Sequence, residues 1–547
     1  MTSSTCTEEL RAEAMPMVAD PDRPSVFPRL GIGRRELNLY ARQSYRQLIE
    51  KGFQPRADVR PWPFKRPLDW AADPFRDRNW SFQLHAWRGI DPILEEFFRT
   101  DDPKYLEEAL AFALDWQRYH RAKKPTAFSW YDMASGLRAL RIALFIEAVR
   151  STTIKVAGAD LDDLLALADE HAQRLQVEKF INLGNHGIFQ VVGLDLLCSV
   201  MPERPSAAGG RAFARRMFER LLRHGFTDEG VHREHSPYYH YFTTVTLRRL
   251  STPALMTSDA RKVLELAEGV QPWLVWPNGR FVEVGDSENR GAPLTEARDR
   301  LVGLGDGRRY AVGDFTRSGY AIIRSDPSRE EQNSMLFVTG MAYSTAHKHG
   351  DELSFALFEH GEPLFIDSGK YGFNRDKWRA YVTTAAAHNT ISLLDKAITR
   401  SDFPSKGSFL HSIRSDPQGF TIAGSISRPG LFLQRRVITY DPGRRLRIED
   451  AVSSDSEQHF VSSLHLHRAL EPSVTAKGFD LVLTCGKRVR ARLETEDCRI
   501  ESARGQKTPV LGWQSTGYLK LEPATVVRAI CRGSKRSISW SIDLDAQ

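Results

Sequence analysis

Two histidines and an aspartate stand at alternate positions in Ala346-His347-Lys348-His349-Gly350-Asp351, just before an apolar run that begins at Leu353. Imidazoles and carboxylates are the groups that move protons near neutral pH and that ligate borderline metal ions. Downstream, Phe365-Ile366-Asp367-Ser368-Gly369 and Ala387-His388-Asn389-Thr390 add a further carboxylate and imidazole. In a strand, alternate residues face one way, so His347, His349 and Asp351 are expected to line one surface that Asp367 and His388 can reach. His349, Asp367 and His388 together offer two neutral imidazoles and a carboxylate, a ligand set suited to zinc.

Two more clusters carry chemistry-bearing side chains. Asn182-Leu-Gly-Asn185-His186-Gly187 opens an apolar helical run; it reads as a helix N-cap, and it also sets an amide donor beside an imidazole, a pair able to bind a substrate carboxylate. Glu234-His235-Ser236-Pro237-Tyr238-Tyr239-His240-Tyr241 crowds titratable and aromatic groups around a proline-forced turn, the kind of loop where sites sit.

The elements that position these groups change character along the chain. Up to about residue 300 the period is helical: Leu161, Leu164, Leu165, Ala168, Ala172 and Leu175 share a face, and Asp102-Pro103 precedes another such run as an N-cap with proline in the first turn. Similar runs cover Leu137 to Val149, Ile188 to Met201, and Phe213 to Leu222 with Gly225 just past the end. Beyond about Gly305 come short runs rich in β-branched and aromatic residues: Tyr320–Arg324, Met335–Val338, Phe420–Ala423, Leu433–Tyr440 and Leu481–Thr484. The glycine-rich stretch 302–308 is the expected junction, which divides the chain into an extended or disordered segment 1–30, a helical domain 31–305 and a strand-rich domain 306–547.

Size and composition exclude several classes. The chain has 547 residues, 41% of them hydrophobic and 27% charged, and no apolar stretch long enough to span a membrane. Its net charge of +7 favours a polyanionic partner. Without an aromatic-basic RNA signature, zinc-finger spacing or a phosphate-cradling glycine loop, an acidic sugar is expected in preference to nucleic acid. The five cysteines have no C-x-x-C spacing and read as incidental, not as a disulfide frame. The start, Met1-Thr-Ser-Ser-Thr-Cys-Thr-Glu-Glu, lacks the cationic and apolar regions of a secretory signal, so the cytoplasm is the default location and the periplasm the alternative.

The ordered set Asn185-His186, Glu234-x-Ser-Pro-x-Tyr239-His240, Gly285-Asp-Ser287, His347-x-His349-x-Asp351-x-Leu-Ser, Gly361-x-Pro-Leu-x-Ile-Asp367-x-Gly369, Arg379 and His388-Asn-Thr390 resembles the heparinase II/III family of polysaccharide lyases and the related alginate lyases. The resemblance runs from about residue 80 to 450. It implies an incomplete (α/α) toroid followed by an antiparallel β-sandwich, and β-elimination at a uronic acid in an anionic polysaccharide or oligosaccharide. It assigns carboxylate neutralisation to Asn185 and His186, acid–base catalysis to Tyr239 and His347, and a supporting zinc to His349, Asp367 and His388. One departure is that Gly184 precedes Asn185, where the family often has consecutive asparagines.

The chemistry makes demands that can be met by named residues. The C5 proton of a uronate is weakly acidic while its carboxylate is charged, so the site must neutralise that charge, remove the proton and protonate the leaving O4. For Tyr239 to act as base, its pKa must fall from about 10 toward 7, roughly 4 kcal/mol of preferential phenolate stabilisation. His240, Arg379 or the metal are the expected cationic neighbours, and His240, Arg379, Glu234 and Trp130 are expected to contact substrate. Trp80 and Trp87 join Trp130 as candidates to stack on sugar rings. Two alternatives remain open: a glycoside hydrolase using paired carboxylates such as Glu234 and Asp286, and a non-catalytic carbohydrate-binding or assembly protein.

Overall fold

The computed structural model describes residues 32–123, 125–293, 301–326, 333–402 and 406–546, and the expected extended segment 1–30 lies outside them. The chain divides into two compact units. One comprises residues up to Leu221 with Thr246–Ala260, and the other Leu222–Val245 with everything from Arg261.

The described helices are α1 (Tyr45–Lys51), α2 (Arg78–His85), α3 (Asp91–Thr100), α4 (Lys104–Ala122), α5 (Asp132–Arg150), α6 (Ala159–Leu175), α7 (Asn185–Val200), α8 (Gly210–Gly225), α9 (Pro237–Leu250), α10 (Ser258–Val270) and α11 (Lys377–Val382). The apolar stripe read from Leu161 to Leu175 becomes the buried face of α6, where Leu164, Leu167, Ala168, Ala172 and Leu175 are enclosed. Helices α5 and α7 are apolar on nearly every side and buried accordingly. Glycines set their separation: a Cβ on Gly136 would lie 2.3 Å from the carbonyl carbon of Phe189, and one on Gly193 would lie 2.5 Å from the Gly136 oxygen. At the start of α4 the N-cap is Pro103 itself, while the Asp102 carboxylate accepts from the Lys104 amide at 3.1 Å. Gly225 closes α8 from inside it.

Two large antiparallel sheets, with three two-stranded ones beside them among the described residues, build the second unit. The first has the strand order 301–303, 309–315, 320–325, 335–339, 354–359 and 362–365. The glycine-rich stretch 302–308 is thus part of its opening hairpin, with Val302 paired to Tyr310. Strand Met335–Thr339 is buried on both faces, and its alternate residues serve two cores. Leu336 and Val338 pack with Phe420, Ile438 and Trp540 of the second sheet, while Met335 and Phe337 pack with Trp273, Leu274 and Trp276. The second sheet centres on the long strands Arg445–His465 and Thr525–Asp543. All the expected strand runs appear there or in the first sheet, except that Leu483 and Thr484 fall in the turn after Gly478–Val482, where the Leu483 amide bonds the Lys487 carbonyl at 2.8 Å.

The cysteine reading needs correction. Cys498 and Cys531 face each other across adjacent antiparallel strands, Cα to Cα 4.5 Å, and form a disulfide. Pairing at that register is a property of the sheet, and a separation of 33 residues carries no local signal.

Candidate active site

The segment before α9 turns sharply at His235, whose φ is 60°, and Pro237 then occupies the first helical position, where its missing amide costs nothing. Ser236 Oγ accepts the Tyr239 amide at 3.3 Å and Ser287 Oγ accepts the Tyr238 amide at 3.2 Å, so the first turn of α9 is fastened to the loop 285–287. Gly285 is required there. Its φ is +58°, and a Cβ would lie 2.3 Å from the His235 oxygen and 2.8 Å from the His347 oxygen.

This close approach brings Tyr239 onto His347. The rings stack with centroids 3.5 Å apart and planes 17° from parallel. His347 lies in a loop with φ of 53°, not in a strand, so the expected alternation of His347, His349 and Asp351 on one face is incorrect. The left-handed residue redirects the chain, and the two imidazoles meet through a shared carboxylate instead. Asp286 Oδ2 is 3.0 Å from His347 Nδ1, and Asp286 Oδ1 is 3.0 Å from His349 Nε2. Asp351 turns away to the buried Lys348.

Asp286 is the hub, only 1% exposed, and it also receives both terminal nitrogens of Arg379, one at 2.9 Å. Burial pushes its carboxyl pKa up, but the hydrogen bonds from His347 and His349 and the Arg379 guanidinium outweigh burial and hold it well below the usual range. An ionised Asp286 accepts from His347 Nδ1 and so orients the ring, whose other nitrogen, Nε2, lies 3.5 Å from Glu234 Oε2. Arg379 is set by the Asp376 carboxylate, which caps α11 by accepting the Trp378 and Arg379 amides. Its guanidinium is committed to Asp286, so it positions that carboxylate and is not the substrate ligand expected.

His240 also departs from expectation. It is 2% exposed, its Nε2 donates to the Ala267 carbonyl at 2.8 Å and its Nδ1 accepts the His232 amide at 3.2 Å. Burial pushes its pKa down to about 4, so it is a neutral strut and supplies neither charge nor a substrate contact. Burial, followed by the negative charge of Asp286, raises the Tyr239 pKa well above 10. The phenol is therefore a protonated donor in this protein, the opposite of the direction a resting phenolate base requires. Two neighbours went unnoticed in the sequence: Phe373, 51% exposed with its ring 6.2 Å from that of His347, and Lys370, whose Nζ is 4.7 Å from the Phe373 ring and 2.8 Å from Glu288.

His349, Asp367 and His388 converge as expected for a metal site, with one ligand atom from each all within 4.8 Å of one another. His349 Nδ1 is buried without a hydrogen-bond partner, so its lone pair is available to a metal ion. Each imidazole is held from behind: His349 Nε2 by Asp286, and His388 Nε2 by the Val382 carbonyl at 3.1 Å. Burial lowers the His349 pKa, keeping it neutral as a metal requires. The residues fit a zinc ion.

In the helical unit, Asn185 and His186 are the first residues of α7, after the N-cap Gly184. His186 Nδ1 lies 3.0 Å from Asp132 Oδ1, and Asn182 Nδ2 donates to the other oxygen of Asp132 at 2.8 Å. Asp132, which the sequence did not single out, thus holds Asn182 and His186 together at the start of α7. Gly187 permits the tight approach, since a Cβ there would lie 1.9 Å from the Asn182 oxygen. Trp130 is half-buried, whereas Trp80 and Trp87 are fully buried core residues and do not offer a face to sugar.

Known proteins fit this description. The Heparinase II/III N-terminus family matches residues 34–262, and the Heparinase II/III-like C-terminal family matches residues 307–541. The chain belongs to the heparinase II/III family. It is a polysaccharide lyase by that membership. A heparin-sulfate lyase of Bacteroides stercoris is 18% identical over 91% of this chain and 77% of its own length. A crystal structure of heparinase III superposes with a TM-score of 0.71 at 14% identity, covering 98% of this chain and 87% of that one. A heparan sulfate lyase of Pedobacter heparinus, in mutant form, gives a TM-score of 0.67 at 14% identity, covering 97% and 85%. The expected toroid and antiparallel sandwich are the fold of this group. The hydrolase alternative fails on the site itself, because Asp286 is locked by two imidazoles and a guanidinium and cannot serve as one of a free carboxylate pair.

Proposed function

We propose that this lyase cleaves a uronate-containing glycosaminoglycan of the heparan sulfate type by β-elimination, with His347 as base and Tyr239 as acid. The Tyr239–His347 stack, with His347 oriented by an ionised Asp286, carries the reading. His347 Nε2 removes the C5 proton. The electron pair forms the C4=C5 double bond, the C4–O4 bond breaks, and O4 takes the Tyr239 proton. The proton gained by His347 is released to solvent and the Tyr239 phenolate takes one from solvent, which restores both groups for the next cycle. Asn185 and His186, the latter oriented by Asp132, are the groups assigned to the uronate carboxylate, where hydrogen bonding would lower the cost of the enolate-like intermediate. His349, Asp367 and His388 would hold a zinc ion, which when bound would supply fixed positive charge and rigidity to the strand and loop carrying them.

Two relatives named for heparin or heparan sulfate favour this substrate class. The test is ultraviolet absorbance of the unsaturated product on heparan sulfate, with chondroitin sulfate, hyaluronan and alginate in parallel. A flat trace on heparan sulfate beside a rising one on another polymer would move the substrate assignment, and flat traces on all would remove it. The Cys498–Cys531 disulfide supports a periplasmic or extracellular location for the enzyme over the cytoplasm. Cell fractionation, with two free thiols at these positions in the cytoplasmic fraction as the adverse result, checks that location.

A further inference from the structure

His347 reaches Tyr239 at the end of an irregular stretch of chain. The short strand Met341–Ala342 stops before it, and Thr345 and Ala346 are exposed. The Ala346 amide bonds the Ser344 hydroxyl at 3.1 Å, within the loop itself, and the Thr345 carbonyl accepts from Arg400 at 3.3 Å on the exposed side. The buried anchor of this loop comes from another segment, through the side chain of His235.

His235 is 2% exposed, and its ring bonds the main chain at both ends of the loop. Nε2 accepts the Tyr343 amide at 2.8 Å, and Nδ1 donates to the Ala346 carbonyl at 2.9 Å. A backbone amide can only donate and a carbonyl can only accept, so the two bonds together require a neutral ring with its proton on Nδ1. Burial, followed by the charge of Lys348, pushes the His235 pKa down to about 3, in keeping with that state. The same segment also grips the side chain of Tyr343, with the Arg233 guanidinium 5.2 Å and the His235 ring 6.4 Å from the Tyr343 ring centroid.

His235 is also the residue that turns the chain into α9, with φ of 60°, a conformation that histidine and asparagine adopt more readily than most side chains. Tyr239 follows in the first turn of that helix. One imidazole therefore joins the segment that launches the phenol to the loop that ends on His347. Asp286 holds the His347 ring from a third segment, and its amide bonds the His347 carbonyl at 3.2 Å. The stack of Tyr239 on His347 is thus fixed from three sides, and a displacement of about 1 Å at such a pair costs on the order of a hundredfold in rate.

We propose that His235 is a positioning residue of the elimination, its imidazole clamping Tyr343 and Ala346 so that His347 is set against Tyr239. It acts through His347, and its burial keeps it out of contact with the glycan. The inference rests on the lyase reading and adds to it the side chain that registers the base against the acid.

The experiment pairs kinetics on heparan sulfate oligosaccharide with proton spectra of carbon-13-labelled histidine. In His235→Ala kcat should fall about a hundredfold, with KM and the calorimetric binding stoichiometry unchanged. His235→Asn keeps a residue suited to the left-handed turn and offers its amide N–H to the Ala346 carbonyl, and it should recover about tenfold of that loss, the equivalent of one hydrogen bond. A kcat within about threefold of wild type in His235→Ala, or a rate that falls only in step with binding stoichiometry, overturns the proposal. The spectra read the stack itself: the ring current of Tyr239 displaces the His347 ring-proton signal, which is assigned by its loss in His347→Ala. That displacement should collapse in His235→Ala and partly return in His235→Asn, and a signal unmoved in the folded variant overturns the clamp whatever the activity. Should His235→Ala not fold, His235→Asn is compared with wild type in the same way, and an unchanged rate or an unmoved signal overturns the proposal. If the wild type cleaves no glycan while the displacement collapses in the variant, the clamp stands and the lyase reading falls; if the wild type eliminates and the signal stays, the lyase reading stands and the clamp falls.

Discussion

Replacing Asp286 with asparagine tests the hub of the site with almost no change in shape. The carboxylate is 1% exposed and accepts from His347 Nδ1 and His349 Nε2 at 3.0 Å and from Arg379 at 2.9 Å. An amide offers one oxygen and one donor nitrogen in place of two acceptors, so one imidazole must change tautomer or lose its bond. Arg379 keeps its charge in a site 12% exposed with no anion to face. Breaking a buried pair from one side costs about 3–5 kcal/mol of stability. Reversing the tautomer of a catalytic histidine lowers kcat by on the order of a thousandfold or more. Loss of the support behind His349 weakens zinc binding by about 10- to 100-fold. The assay pairs the initial rate of ultraviolet absorbance with calorimetric melting and metal content by mass spectrometry. A kcat within about threefold of wild type would refute the argument that an ionised Asp286 orients the His347 ring.

Four further outcomes are expected. Tyr239→Phe should lower kcat by roughly 10²- to 10⁴-fold while leaving folding stability unchanged, and the pH profile of the wild type should show no essential phenol deprotonating below about 10; an ascending limb that disappears in Tyr239→Phe would reassign the tyrosine as base. Asn185→Ala should lose most of its penalty on substrate whose uronate carboxyl has been reduced, and equal losses on both substrates would count against carboxylate neutralisation. His388→Ala should purify without stoichiometric zinc, whereas full occupancy would sink the assigned ligand set. Stability should fall as pH drops from about 6.5 toward 4. His85, His240 and His465, each 2% exposed, are held neutral with pKa values pushed down by burial to about 3, about 4 and about 3. The unfolded chain therefore binds more protons in that window, and each group contributes up to about 1.4 kcal/mol per pH unit; a melting temperature flat across it would contradict this.

The helical and strand-rich halves were legible because periodicity is local: the Leu161–Leu175 stripe and the alternation in Phe420–Ala423 are written in consecutive residues. The metal triad and the tyrosine–histidine pair were reachable through the resemblance, whose motifs carried His349, Asp367, His388, Tyr239 and His347 together. What stayed hidden depends on tertiary register or on single backbone angles. The positive φ of His347 turns a strand-like pattern into a loop, and nothing in His-Lys-His-Gly distinguishes the two. The central place of Asp286 comes from three partners 61 to 93 residues away. His240 and Arg379 carry the right chemistry for a site, but their partners, the Ala267 carbonyl and Asp286, consume it. The tyrosine pKa moves up because burial and the charge of Asp286, 47 residues further on, act in the same direction, a combination no residue pattern records.

Cleavage of heparan sulfate oligosaccharide in heavy-oxygen water, read by mass spectrometry, addresses the reaction class most directly. Elimination through Tyr239 and His347 should give an unsaturated fragment carrying no solvent oxygen at the broken linkage, and none of it in Tyr239→Phe. Saturated fragments with one heavy oxygen incorporated per cut would contradict it.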